Sequence, residues 1–214
     1  MIEIFRYGVI LSLFLTFAIL CYMLFKIYRF NKKRLYSRPL GNGLRGIIYA
    51  FGRGLAPWEK ESAGKHLPTY LAGILYHVGI FAAFIYLFSL VIPFDRGSIF
   101  SALIAISMVI GLFCGIGLFV KRLLKPHMRR ISCPDDFASN FLVDGFLVIS
   151  LLDAINGNVR AVLYAVSIIL ILYIPLGKIR HCVFFFYSRI LFGHFYGRRG
   201  VLPQGQLQER PDNG

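Results

Sequence analysis

Charge is missing from the long stretches of this chain. Residues 8–25, 67–94 and 97–120 contain no Asp, Glu, Lys or Arg, and 137–152 contains a single charge, Asp144. With 57% hydrophobic residues in 214 positions, that absence argues against a water-soluble globular domain. Strand-like alternation is also missing, which excludes a membrane β-barrel. No Cys-x-x-Cys occurs among Cys21, Cys114, Cys133 and Cys182, so the chain encodes neither an iron–sulfur cluster nor a covalently attached c-type haem. These thiols read as small packing residues plus one loop thiol, with no disulfide expected. There is no internal repeat, and no pair of broken helices of the kind many secondary transporters use. Residues 8–25 lack a clear small-x-small cleavage site and are followed by a basic cluster, so they read as a retained first helix.

What is present is membrane-length apolar sequence. A spanning helix needs about 20 largely apolar residues. The runs predict an all-α integral membrane protein, a bundle of five transmembrane helices over about 8–25, 67–92, 98–120, 137–155 and 160–187. Between the first two lies a loop, 26–66, and after the last comes a tail, 193–214, read as an extended arm or disordered. The net charge of +14 would point to nucleic acid in a soluble protein. Here its distribution argues otherwise. Of 24 Lys and Arg, ten lie in 26–66, five in 121–136 and six from Lys178 onward, leaving Arg6, Arg96 and Arg160 on the other side. Basic residues concentrate in cytoplasmic loops. The expected orientation therefore has the N-terminus outside and the C-terminus cytoplasmic, in the cell's inner membrane. The long basic loop suits either the anionic leaflet or a docked cytoplasmic partner.

Two histidines carry the chemistry. His77 lies ten residues after Leu67, roughly 15 Å into the second span at the helical rise. His181 lies eight residues before Arg189, roughly 12 Å from the same edge in the fifth span. Two imidazoles at matched depth on packed helices are what one b haem needs as axial ligands. Lys178 and Arg180 would be expensive in lipid unless neutralised, and haem propionates are anions that could do so; snorkelling to the interface is the alternative. Pro175 should kink the helix just before the ligand. Asp144, inside a span, is a candidate proton or quinone contact, whereas Asp153 reads as interfacial. His66, His127 and His194, at cytoplasmic helix ends, read as ordinary interfacial residues.

Three blocks resemble the membrane cytochrome b subunit of respiratory nitrate reductase, the gamma subunit, and the related membrane subunits of heterodisulfide reductase and of sulfate-reducer redox complexes. They are Tyr76-His77-Val78-Gly79-Ile80; Lys121-Arg122 with Pro126 and Arg129, after the glycines Gly111, Gly115 and Gly117; and Pro175 with Lys178-Ile179 and His181. The resemblance implies that His77 and His181 share an inner haem. The same family carries a second, outer pair of histidines at positions that are Leu87 and Leu163 here, which implies that an outer haem is missing. It further implies electron transfer between a menaquinone or ubiquinone pool and a cytoplasmic iron–sulfur subunit. No basic counterpart to the family's outer quinol site stands around Ser98–Ser101, which leaves the quinone contact unassigned. The expected role is thus an electron-transfer subunit of an oxidoreductase complex, in contact with membrane lipid and not with nucleic acid. The alternative is a haem-free membrane anchor or a small-solute transporter.

Overall fold

The computed structural model describes residues 2–30, 38–60, 64–92 and 97–202, and among them every regular element is helical. The basic run Lys32–Arg34, the turn containing Asp95 and Arg96, and most of the tail lie outside the described residues. The helices are α1 (Ile2–Phe30), α2 (Gly43–Phe51), α3 (Leu67–Val91), α4 (Ser98–Leu124), α5 (Pro126–Ile131), α6 (Pro134–Asn156), α7 (Arg160–Tyr173) and α8 (His181–Arg198). By length and composition α1, α3, α4 and α6 can each cross a membrane, and a fifth crossing is counted if the broken stretch from α7 into α8 is taken as one.

The chain divides into two compact units. One comprises Met1–Phe25 with His66–Arg180, the other Lys26–Lys65 with His181–Gly214.

The first unit is a bundle of five rods that alternate in direction. Arg6 Nε donates to the carbonyl of Val91 (3.1 Å), setting the start of α1 beside the end of α3. Gly79 and Gly111 bring α3 and α4 into backbone contact, since a Cβ on either would sit 2.6 Å from the other's Cα. Close approach through small residues replaces the hydrophobic drive that lipid cannot supply. Arg160 Nε reaches Asp153 Oδ2 (2.8 Å) at one end of α6 and α7, and Tyr173 bonds Asp135 at the other. Inside, Leu87, Met108, Phe146, Leu147, Leu163 and Ile171 are fully buried.

Local chemistry sets the ends of these rods. In α6, Pro134 opens the helix, Asp135 and Asp136 sit in its first turn, and the backbone N–H of Cys133 donates to Asp136 Oδ2 (2.9 Å). Carboxylates there complement the positive end of the helix dipole. Gly157 ends α6 with φ of 66°, a left-handed conformation that glycine takes without Cβ strain. Just after α7, Pro175 has no N–H to give to Ile171. The freed Ile171 carbonyl is met by Thr16 Oγ1 from α1 (2.8 Å) and by Ile174 N (3.2 Å). Within a bilayer, a backbone carbonyl must find such a partner inside the protein.

The second unit pairs α2 with α8. Asn42 caps α2, its side chain accepting from Leu44 N (2.8 Å) and Arg45 N (3.3 Å). Gly46 lies against Gly193 and Gly197 with no room for a Cβ on any of the three. Two 3₁₀ turns follow α2, at Arg53–Leu55 and Pro57–Glu59. Glu59 ties them back to α2, bonded by Arg53 Nε (2.6 Å) and by the Tyr49 hydroxyl (3.1 Å).

Three elements differ from the sequence-based expectation. The stretch 160–187 is not one continuous helix, because α7 stops at Tyr173 before Pro175 and a 3₁₀ turn at Lys178–Arg180 precedes α8. The loop 26–66 contains a capped helix, and the start of the tail, 193–198, belongs to α8. Alternating glycine with aromatic residues makes 193–198 look loop-like, but those glycines are what allow α8 to dock on α2.

Candidate functional site

At residues 76 and 77 successive side chains of α3 point in opposite senses. Tyr76 is buried and His77 is exposed. His77 stands in a stripe of exposed apolar residues, Ile74, Val78, Phe81 and Ile85. Its Nδ1 lies 2.6 Å from the carbonyl oxygen of Gly73. A carbonyl only accepts, so Nδ1 carries a proton, and in the neutral imidazole this is the tautomer whose Nε2 could ligate a metal. A Cβ at Gly73, one turn away, would meet no atom within 4 Å.

Tyr76 points the other way, into a polar cluster between α3, α4 and α6. Asn140 Nδ2 donates to Asp144 Oδ2 (2.9 Å) and to the Tyr76 hydroxyl (3.3 Å). Gly115 of α4 lies against both Asp144 and the Tyr76 ring, and only a residue without a side chain fits there. Asp144 Oδ1 is buried and has no hydrogen-bond partner among the described residues.

That orphan is one of four on the same helix, with Ser139 Oγ, Ser150 Oγ and Asp153 Oδ1. A buried oxygen without a partner calls for water, an ion or a ligand group. The acids of α6 mark out the bundle: Asp136 at one end, Asp144 roughly 12 Å further, and Asp153 roughly 13 Å beyond that.

Asp153, near the end of α6, is 2% exposed, and its Oδ2 receives both the Tyr86 hydroxyl and Arg160 Nε, each at 2.8 Å. An Asp and an Arg flanking the Asn-Gly turn after α6 were the available signal, but the partner Tyr86 lies 67 residues away.

Lys178 and Arg180 lie in the turn just before His181. Lys178 Nζ pairs with Asp136 Oδ2 (2.6 Å), while Arg122 pairs with Asp136 Oδ1 (3.0 Å) and the Lys178 backbone N–H donates to Asp135 Oδ2 (2.7 Å). Lys178 is therefore level with the first turn of α6, about 12 Å along that helix from Asp144. The break at Pro175 lets α7 and its turn finish alongside α6 before His181 is reached. Arg180 is exposed, and His181 is the exposed first residue of α8. His77 belongs to the first unit and His181 to the second. Leu87 and Leu163 both sit fully buried in the bundle core. His66 caps α3, His127 lies in α5, and the His194 ring packs on Gly43. Among the described residues no group of three or more His, Cys, Asp or Glu side chains is arranged to hold a metal ion; a haem would need only its axial ligands.

Comparison of the chain with protein-family models, with curated proteins and with solved structures found no match.

Proposed function

We propose that this chain is a multi-pass subunit of an inner-membrane redox complex that holds one b haem through His77 and His181. The observation that carries the reading is the imidazole of His77. It stands on an exposed, otherwise apolar stripe of a membrane-length helix with its Nδ1 hydrogen-bonded to the Gly73 carbonyl. A histidine at membrane level is a functional-site hypothesis by default, and axial ligation of a haem gives it a role there. When bound, the haem supplies a one-electron carrier between a quinone pool and a cytoplasmic iron–sulfur subunit. The chain's own residue Gly73 orients the His77 ring through its carbonyl. Arg180 remains the cation suited to a propionate, since Lys178 is held by Asp136. Asp144 is suited to proton or quinone contact. The concentration of basic residues in 26–66, 121–136 and 178–214 supports an outside N-terminus and a cytoplasmic C-terminus. The test is a pyridine haemochrome assay on the purified chain, with one b haem per chain as the expected result.

A second reading, a haem-free membrane anchor, is favoured by the Lys178–Asp136 pair and the break before His181. Both remove part of the matched-depth geometry that a haem between spans would use. A purified chain without haem, assembled with its partners at normal yield, would select this reading.

A further inference from the structure

The second unit has chemistry of its own that the haem reading does not use. Its segments carry 14 Lys and Arg against four Asp and Glu, a net +10 of the chain's +14.

Helix α2 has two unlike faces. Gly46 and Ala50 are buried against α8. On the opposite side Leu44 and Ile48 are 65% and 64% exposed, with exposed Arg45 beside them. Trp58, the sole tryptophan of the chain, is 76% exposed on the 3₁₀ turn that Glu59 pins to α2. On α8, Phe186, Ile190 and Phe192 are exposed, and Arg189 and Arg199 lie over the Phe185 and Phe195 rings at 5.5 and 4.2 Å. Exposed aliphatic side chains beside guanidinium groups, with a tryptophan at their edge, match a hydrocarbon boundary topped by phosphates. A face meant for an acidic protein would need the charge but not this much uncovered apolar surface.

We propose that the α2 face of this unit, Leu44, Arg45, Ile48 and Trp58, binds the headgroup region of anionic phospholipids. The positive charge selects acidic headgroups, and the apolar residues enter the acyl boundary. The proposal does not rest on haem binding.

Trp58 makes the test direct, because all tryptophan emission reports on this face. The full chain is reconstituted in phosphatidylcholine vesicles containing a fixed mole fraction of brominated phosphatidylglycerol or of brominated phosphatidylcholine. Trp58 should be quenched by both, with a preference for the anionic lipid of about five-fold, the effect of one arginine near a charged surface. High salt should reduce the preference. Arg45→Gln should bring it towards unity. Equal quenching by the two lipids would overturn the proposal. So would an unchanged preference in Arg45→Gln. Water-like emission with no quenching by either lipid would also overturn it, and would leave this face to solvent or to a protein partner. If the variant fails to fold, the comparison of the two lipids on the unaltered chain still decides.

Discussion

The two units handle polarity in opposite ways. In the bundle, polar groups are few and buried: Asp144 with Asn140 and Tyr76, Asp153 with Arg160 and Tyr86, and Thr16 on a carbonyl that proline set free. In the α2–α8 unit Arg38, Arg45, Arg53, Lys65 and Arg199 are exposed, and the close contact is glycine on glycine. The difference follows from the solvent each is built for. Lipid gives no hydrogen bonds, so polar groups inside such a bundle depend on partners from within. Exposed charges can be left to solvent. Mutations and salt should therefore separate the two.

The largest effect is expected at Asp153. Its replacement by alanine leaves Arg160 and the Tyr86 hydroxyl without their shared acceptor inside the bundle. Breaking a buried pair from one side costs about 3–5 kcal/mol, and the partial exposure of Arg160 favours the lower end, about 3 kcal/mol. Reversible unfolding in mixed detergent should register that loss with little dependence on salt. A loss below ~1 kcal/mol would mean that the Asp153 pair does not bear on the bundle.

A smaller loss is expected from Thr16→Val, which keeps the shape and removes the bond to the Ile171 carbonyl. Interhelical bonds of this type in membranes average about 0.6 kcal/mol. The same unfolding assay should show a loss of that order. A neutral result would mean that Ile174 N alone satisfies the carbonyl.

In the second unit the corresponding contact is weaker and sensitive to pH. The hydrogen bond from Arg53 and then that from Tyr49 hold the Glu59 carboxyl below its ordinary value. A depressed carboxylate contributes stability above its unfolded pKa, and the contribution is lost as pH falls through the lower, folded value. Trp58 emission, one residue away, should stay constant through about pH 4.3, the ordinary glutamate value, and change only below it. A transition centred at or above that value would show that the clip does not form. High salt should weaken the clip while leaving the Asp153 pair unaffected.

Much of the bundle was readable from sequence because lipid leaves so little choice. Uncharged runs near 20 residues can be little other than spanning helices, and the glycines at 79, 111 and 115 stand where close packing needs them. The second unit was hidden for a physical reason. A nine-residue helix held by Gly46 against Gly193 and Gly197 has the composition of a loop, and its partner lies about 150 positions away. At the candidate site, the isolation of His77 in an apolar run was visible, and so was Asp144. The Tyr86–Asp153–Arg160 cluster was not, since burial of an acid near a helix end depends on what two other helices bring. Pro175 announced a kink, yet whether the helix resumes in line or stops depends on the carbonyl partner that Thr16 supplies.

Haem content of single-site variants tests the role of His77 most directly. The purified full-length chain should carry one b haem, and His77→Ala and His181→Ala should each carry none, with the helical circular dichroism of both variants unchanged. Full haem occupancy in folded His77→Ala, or a parent chain without haem, would contradict the account.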